Sequence, residues 1–265
     1  MTDLMGDDLP VPEIDTSRPH PARMYDYYIG GKNHFAADRA LADKALAAWP
    51  AGRIGLRENR KFLGRVVKYL AAEAGIRQFL DIGSGLPTTS NVHEIAQTVD
   101  PSCRVVYVDN DPVVLVHARA RMRSDAECTT GYVNADARDI AAVLDGAAQT
   151  LDLAQPVGVL LIDVLTFVPD AAGVVAGLVA AVAAGSYLTV MQPAEDERLT
   201  VAQRLWNRVA EPVVHLRRPH EVGAWLGGLE LVEPGLVEVN QWRPSPDDPK
   251  SPDGLPLLAA VARKP

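Results

Sequence analysis

Short apolar runs alternate with amphipathic stretches through most of the chain after residue 75. The apolar runs predict strands near 77–82, 103–109, 129–134, 157–163 and 184–191. The amphipathic stretches predict helices near 88–98, 112–122, 138–145, 170–182, 195–210 and 219–227. Alternating strands and helices are typical of repeated βα units. We therefore expect an α/β fold built around a largely parallel sheet.

The two ends of the chain follow a different pattern. Residues 1–17 contain Pro, Asp and Gly without periodicity, which predicts a flexible leader. Residues 18–75 predict an N-terminal helical extension that could act as a lid, and residues 76–265 the main ligand-binding domain. Two apolar runs at 229–232 and 236–239 flank a Pro-Gly turn. With the final apolar run at 257–262, they predict two closing strands after the five parallel ones, and so an antiparallel hairpin at one edge of a seven-stranded, mainly parallel sheet.

A glycine loop follows the first predicted strand. It contains Gly83, Ser84 and Gly85, and Asp81 stands at its entrance. Glycines in this position let the backbone approach a nucleotide-like ligand. Asp109 ends the second predicted strand 24 residues after Gly85, where an acid can accept both ribose hydroxyls. For either glycine taken singly, a tight turn without a ligand is the alternative.

A third acid, Asp136, ends the third predicted strand. Asp136 could accept a hydrogen bond from an adenine amino group while the Ala137 amide donates to the ring. The alternative is that Asp136 caps a helix beginning near Arg138. In a doubly wound sheet, ligands bind outside the carboxyl ends of the strands. We therefore expect Asp81, Asp109 and Asp136 to converge on one crevice.

The glycine loop favours one cofactor over another. A dinucleotide site usually carries a third glycine, and Thr88 stands at that position. The charge of Asp81 would oppose a pyrophosphate and would suit an ammonium or sulfonium group. S-adenosylmethionine carries both of these cations and a ribose but no phosphate. The residues therefore favour S-adenosylmethionine and disfavour the alternative, a nicotinamide dehydrogenase.

Composition narrows the class of protein and its partners. The 265 residues are 48% hydrophobic, enough for a substantial core, and the net charge of -8 gives no broad nucleic-acid footprint. Two cysteines argue against a disulfide framework, and no His or Cys spacing predicts a metal. Without a signal-peptide pattern or a bilayer-length apolar run, a cytoplasmic protein with no membrane partner is expected. A small-molecule substrate is expected first and a protein substrate second, with nucleic acid disfavoured.

Several segments together carry a resemblance to a known family. They are RPHPARMYDYYIGGKNHF at 18–35, DIGSGLPT at 81–88, VYVDNDP at 106–112 and LVEPGL at 231–236. Through them the chain resembles a family of actinobacterial S-adenosyl methyltransferases, from about residue 18 to residue 265. The resemblance implies a Rossmann-like class I methyltransferase fold with S-adenosylmethionine as ligand, and it leaves the substrate open. Asn110, which follows Asp109, is also predicted to bind the cofactor, as are Ser84 and the two glycines of the loop.

The first of these segments supplies further candidates. Helical spacing predicts a short helix that ends at Gly30-Gly31, before a polar loop. Such a segment can lie across the cofactor crevice, and its expected lining residues are Tyr28, Gly31, Asn33 and His34. His34 is the candidate general base. A solvated capping loop is the alternative. Asn59 and Arg60, on the next predicted helix, are further candidates of the same kind.

The end of the fourth predicted strand raises the question of chemistry. Asp163 could accept a proton, bind substrate or hold the cofactor loop, whereas Thr166 is a poor general base. The family pattern has a small apolar residue at position 163 and His at position 166 in many members, so both residues depart from it. Methyl transfer by in-line displacement is the first expectation. The two departures keep a non-catalytic S-adenosylmethionine sensor as the alternative. Asp170, after Pro169, is expected to cap a helix.

Overall fold

The computed structural model of the chain describes residues 15–88, 90–114, 116, 129–246 and 248–265. Most of the leader predicted over residues 1–17 lies outside this part of the chain. The same is true of most of the helix predicted near 112–122.

Three helices precede the sheet: α1 (Pro21–Ile29), α2 (Ala36–Ala48) and α3 (Gly52–Ala72). Pro21 lies in the first turn of α1, where the missing backbone donor costs no hydrogen bond. Gly30 ends α1 with a φ of 88°, a left-handed conformation that glycine adopts without strain. The predicted end of this helix at Gly30-Gly31 is confirmed.

Parallel strands alternate with helices through the middle of the chain. The strands are β1 (Gln78–Ile82), β2 (Arg104–Asp109), β3 (Thr130–Asn134), β4 (Gly158–Ile162) and β5 (Tyr187–Pro193). The helices are α4 (Val92–Val99), α5 (Ile140–Ala147), α6 (Ala171–Ala181), α7 (Glu197–Asn207) and α8 (Pro219–Trp225). A 3₁₀ turn (Val164–Phe167) follows β4. The predicted βα alternation is confirmed over these elements.

The strand order places a crevice at the middle of the sheet. The order is β3-β2-β1-β4-β5, and all four of these pairings are parallel. The chain moves outward from β1 to β3 and then returns to add β4 on the other side of β1. Neighbouring crossovers therefore diverge between β1 and β4, which opens a ligand crevice beyond their carboxyl ends.

The antiparallel edge that the sequence predicted is confirmed. β8 (Leu257–Arg263) pairs antiparallel with β5, and β6 (Glu230–Leu231) and β7 (Val237–Glu238) both pair antiparallel with β8. β6 and β7 therefore run in the same direction, and β8 pairs antiparallel with its neighbours on both sides. Together β6 and β7 occupy one sheet position beside β8. The described sheet has eight strands but is seven positions wide.

Apolar side chains cover both faces of the sheet. Phe79 and Leu80 are both fully buried, but they belong to different core clusters because successive strand residues point to opposite faces. Phe79 packs in the cluster that contains Phe62 and Leu70 of α3. Leu80 packs in the cluster formed with α5, α6 and α8. α3 is therefore one of the helices that cover the central sheet.

The first two helices pack on the carboxyl side of the sheet. Met24 of α1 and Leu41 of α2 form a cluster with Trp206 of α7, and Phe167 of the 3₁₀ turn packs against it. Asp38 is fully buried in α2 and accepts hydrogen bonds from the backbone amides of His20 (2.9 Å) and Phe35 (2.8 Å). The Arg23 guanidinium lies 3.3 Å from the same carboxylate. This buried carboxylate therefore fixes α1 against α2 above the strand ends.

Candidate active site

A cavity of about 790 Å³ opens at the carboxyl ends of β1, β2, β3 and β4, under α1 and α3. This volume falls within the range of about 300–1,000 Å³ typical of small-molecule sites. Twelve of the residues predicted from the sequence line it: Tyr28, Asn59, Arg60, Asp81, Gly83, Ser84, Gly85, Asp109, Asn110, Asp136, Ala137 and Asp163. The fold therefore brings together residues from four strand ends, from α1 and from α3.

The glycine loop after β1 is shaped by two left-handed residues. Gly83 has a φ of 73°, and a Cβ placed there would lie 2.5 Å from the Val164 Cβ atom. Gly85 has a φ of 65°, and a Cβ there would meet nothing within 4 Å. The Gly83 amide donates to the Val108 carbonyl oxygen (2.8 Å), which bends the loop towards β2. Gly83 is thus required by packing, whereas Gly85 leaves open space beside the cavity.

Asp109 connects β2 to this loop. One carboxylate oxygen accepts the Gly85 amide (2.8 Å) and the other accepts the Asp111 amide (2.9 Å). Burial raises the pKa of Asp109, and these two amide hydrogen bonds oppose the shift. Each oxygen retains a second lone pair, so the carboxylate can still accept two hydroxyl donors.

Asp136 is held by its neighbours rather than at a helix end. Arg138 donates to it from Nε (2.8 Å) and Nη2 (2.6 Å), and Asn110 Nδ2 lies 3.3 Å away. The Arg138 hydrogen bond lowers the pKa of Asp136. The cap of α5 is Asp139, which accepts the Ala142 amide (3.1 Å). Asp136 is therefore not the cap of α5, the role that the sequence left open for it.

Asp81 is a buried carboxylate at the end of β1. Burial raises its pKa to about 7; Arg60 opposes this shift and Asp109 adds to it. The Arg60 guanidinium also donates to the Ser90 carbonyl oxygen (3.0 Å). A carboxyl group with a pKa near 7 is readily ionised when a ligand cation binds beside it, because the cation favours the charged form.

Asp163 follows β4 in an unusual backbone conformation. Its φ is 64°, a left-handed value that is uncommon outside glycine. Its amide donates to the Met191 carbonyl oxygen (3.0 Å), which fixes the residue beside β5. Its Oδ1 atom is buried without a hydrogen-bond partner among the described residues. Burial raises the pKa of Asp163 to about 7.

Three of the predicted lid residues lie elsewhere, and the structure corrects their position. Gly31, Asn33 and His34 are not part of the cavity wall formed by the described residues, whereas Tyr28 is. The Asp26 side chain accepts the Asn33 amide (2.8 Å), and the His34 ring stands edge-on to Tyr27 at 5.0 Å.

Tyr25 and Tyr28 of α1 face the cavity. Asp26 and Tyr27 lie on a different face of the same helix. The loop after α1 therefore folds against a different face of the helix. There the His34 ring forms hydrogen bonds through Nε2 with the Gly31 carbonyl oxygen (3.2 Å) and through Nδ1 with the Arg39 guanidinium (3.2 Å). This geometry does not support His34 as the general base.

Two other side chains in the wall stand out. Asn59 is 1% exposed, and neither end of its amide has a hydrogen-bond partner in the described chain. Its spacing of three and seven residues from Phe62 and Val66 places it on the buried face of α3, a signal that the sequence already contained. An unsatisfied buried amide costs about 1–3 kcal/mol, so a polar ligand group beside it would offset that cost.

His215 was missed as a site residue because it lies in a loop after α7, far from any motif. It lines the cavity, and its amide donates to the Thr166 carbonyl oxygen (2.7 Å). Thr166 Oγ1 in turn donates to the His215 carbonyl oxygen (3.2 Å). Burial and the nearby Arg217 lower the pKa of His215. The buried Thr166 therefore holds the His215 segment in the cavity wall, and its hydroxyl group is not directed at a reacting group.

The described residues contain no cluster of three or more His, Cys, Asp and Glu side chains placed to hold a metal. Within the same ranges, no helix has the length and apolar character needed to cross a bilayer. Asp170 caps α6 by accepting the Gly173 amide (2.9 Å), as the sequence predicted.

Comparison with known proteins agrees with the site. A left-handed glycine loop, an acid ending β2 and an open crevice at β1 and β4 are features of class I S-adenosylmethionine-dependent methyltransferases. The sequence model for the family described as S-adenosyl methyltransferase matches residues 8–265, so the chain belongs to that family. S-adenosylmethionine is the cofactor of this family, and the open side of Gly85 and the unsatisfied Asn59 fit a polar nucleoside ligand.

Solved structures show the same relationship. A DUF574 family protein from Streptomyces avermitilis is 42% identical with a TM-score of 0.89, covering 96% of this chain and 100% of its own. A protein from Thermobifida fusca is 41% identical with a TM-score of 0.88, covering 94% and 96%. Magnesium protoporphyrin IX methyltransferase from Synechocystis, solved with S-adenosylhomocysteine, is 14% identical with a TM-score of 0.54 over 91% and 93%, and shows the shared fold. A search of the curated proteins finds no match.

Proposed function

We propose that the protein transfers the methyl group of S-adenosylmethionine to a small-molecule acceptor bound in the same cavity. The observation that carries this proposal is the extent of the cavity. It continues from the glycine loop to an apolar wall formed by Phe167, Trp206 and Val213. A cofactor held at the loop leaves this second region beside it for an acceptor.

The cofactor-binding roles follow from the residues at the strand ends. Asp109 is placed to accept the ribose hydroxyls. Asn110, Asp136 and Ala137 form the wall for the adenine ring. Asp136 is the weaker acceptor of the two acids because each of its oxygens already accepts two donors from Arg138 or Asn110, whereas each Asp109 oxygen accepts one.

The amino-acid end of the cofactor belongs near the glycine loop and α3. Asp81 offers a carboxylate to a cationic group, and Asn59 offers an amide to either end of an amino acid. Arg60, beside Asp81, brings a positive charge for a carboxylate. The bound cofactor supplies an activated methyl group on a sulfonium centre.

The protein contributes to transfer mainly by positioning and by excluding water. The acceptor atom must lie in line with the methyl carbon, and good orientation can contribute up to about 7–11 kcal/mol. α1 covers the cavity with Tyr25 and Tyr28, which limits water at the reacting atoms. Tyr25 is held by a hydrogen bond to the Leu56 carbonyl oxygen (3.3 Å) on α3.

Calorimetry with Asp109→Ala tests the cofactor half of this proposal. The substitution removes the ribose acceptor and the hydrogen bond to Gly85, so affinity for S-adenosylhomocysteine should fall by about 10- to 100-fold. Asp145→Ala, which changes an exposed acid on α5, is the matched control and should bind like the parent. An unchanged affinity in Asp109→Ala would place the cofactor elsewhere.

Transfer itself is tested with methyl-labelled S-adenosylmethionine and panels of small-molecule acceptors, followed by mass spectrometry. A labelled product supports the enzyme. Tight cofactor binding with no labelled product across broad panels would instead favour the non-catalytic sensor.

A further inference from the structure

Asp163 stands between the two halves of the cavity. The next residue, Val164, packs against Gly83 of the glycine loop, where even a Cβ atom would be too close. Three residues after Val164, Phe167 contacts Trp206 with ring centroids 6.1 Å apart. The segment that begins at Asp163 therefore touches the cofactor loop at one end and the apolar wall at the other.

Within the described part of the chain, no hydrogen bond or ion pair accounts for the position of the Asp163 carboxylate. No described residue forms an ion pair with it, and its buried Oδ1 atom accepts no hydrogen bond from the described chain. Its left-handed backbone is held by the bond to Met191. Strained residues of this kind cluster at sites of function. A carboxylate fixed in this way is available to a bound molecule.

The acceptor half of the cavity is apolar and carries negative charge. Met24, Tyr28, Phe167 and Trp206 supply apolar and aromatic surface. Among the described lining residues on this side, the formally charged ones are Asp163 and, at the exposed rim, Glu211. Burial and the nearby Arg217 lower the pKa of His215, which disfavours its charged form. Aromatic faces and carboxylates both favour a molecule with a basic, cationic group.

We infer that the acceptor is an apolar or aromatic amine and that Asp163 is the catalytic residue that takes up its proton. The inference rests on the proposed methyl transfer. The bound ammonium group first gives one proton to the Asp163 carboxylate, which passes it to water, and the nitrogen lone pair is thereby freed. That lone pair forms a bond to the methyl carbon while the carbon–sulfur bond breaks, the sulfur leaves as a neutral thioether with the bonding electrons, and the product is a methylated ammonium. Burial, by raising the pKa of Asp163, makes this carboxylate a better base than an exposed one.

The test compares matched acceptors and matched variants. The acceptors are two pairs of equal shape: phenethylamine with 2-phenylethanol, and aniline with phenol. The variants are Asp163→Asn and Asp81→Asn, because both acids are cavity carboxylates with raised pKa but only Asp81 is assigned to the cofactor. Asn tolerates the left-handed conformation at position 163, so the backbone should be preserved.

The parent should methylate the amine of at least one pair faster than its oxygen partner. Asp163→Asn should bind S-adenosylhomocysteine with nearly parental affinity but transfer methyl roughly 100-fold more slowly or worse. Asp81→Asn should show its larger effect on cofactor affinity.

Preferred methylation of oxygen, or turnover of no amine probe alongside a labelled product from another acceptor, would overturn the inference, while the labelled product would uphold the proposed function. A loss of cofactor affinity in Asp163→Asn as large as that in Asp81→Asn would also overturn it, by assigning Asp163 to the cofactor. A parent protein that bound no S-adenosylhomocysteine would instead remove the proposed function itself.

Discussion

Asn59 shows how a single residue can weaken the fold while serving a site. Its amide is buried on α3 without a described partner, beside the cavity. Leu in its place would remove the unsatisfied groups and keep a similar volume. We therefore expect Asn59 to favour cofactor binding while lowering the stability of the ligand-free fold.

Asn59→Leu should raise the unfolding free energy of the ligand-free protein by about 1 kcal/mol or more and weaken S-adenosylhomocysteine binding about 5- to 30-fold. Urea denaturation and calorimetry measure the two effects. Arg57→Leu, on the exposed side of the same helix, is the control and should change neither strongly. Lower stability with parental affinity would show that Asn59 is an ordinary structural residue.

Two acids of the cavity, the buried Asp81 and the partly buried Asp163, should make stability depend on pH. Burial raises the pKa of each from 3.8 to about 7 in the folded protein, with Arg60 opposing and Asp109 assisting the shift at Asp81. The folded state therefore binds these protons more tightly than the unfolded state. Their stabilising contribution is complete below about pH 4 and is lost as the pH rises through 7.

Asp81→Asn and Asp163→Asn should consequently gain stability relative to the parent as the pH rises. The difference in Tm should be larger at pH 8 than at pH 4.5, on the order of 2–4 °C for each kcal/mol. Thermal unfolding without cofactor measures it, and Asp145→Asn serves as the exposed control. An equal difference at both pH values would mean that the two carboxylates titrate normally.

At the scale of elements, the position of α1 over the cavity depends on one buried acid of α2. Asp38 binds the backbone on both sides of α1, at His20 and at Phe35, and also meets Arg23. Asp43, on the same helix, instead accepts the Tyr27 hydroxyl (2.7 Å) in an exposed bond. The two acids allow a matched comparison because only one of them is buried.

Asp38→Asn should loosen α1, because the new amide group places a donor where the backbone needs an acceptor. Hydrogen exchange over residues 20–35 should become at least about tenfold faster, while β1 and β4 keep their protection. Affinity for S-adenosylhomocysteine should fall with it. Asp43→Asn should leave exchange almost unchanged, since exposed pairs contribute about 1 kcal/mol or less. Equal effects of the two variants would contradict the role given to Asp38.

At the scale of the whole molecule, the cavity joins parts that are distant in the chain. Tyr28 comes from α1, Asp81 from β1, Asp163 from the end of β4 and Trp206 from α7. The strand order brings the middle two together, because β4 returns to pair with β1. The apolar cluster of Met24, Leu41 and Trp206 then fixes α1 and α2 over them. The division of the chain at residue 75 remains a prediction, and α3 packs with the sheet on the far side of that boundary.

Much of this arrangement could be predicted from local patterns. The five parallel strands, the end of α1 at Gly30, and the acids at the strand ends all follow from hydrophobic runs and glycine positions. Such signals are local, because a strand's burial pattern and a glycine's backbone freedom are visible in neighbouring residues. Asn59 was visible in the same way, as a polar residue in the apolar stripe of α3.

Other features depended on contacts that no local pattern contains. The sequence alone determined a cofactor crevice and the acids around it, because parallel strands carry their carboxyl ends to one edge of the sheet. Tertiary structure decided that β8 separates β5 from β6, that the His34 loop folds against Asp26 and Tyr27, and that His215 reaches the cavity through Thr166. Each of these outcomes depends on which distant surfaces pack together, and on the backbone hydrogen bonds that remain to be satisfied when they do.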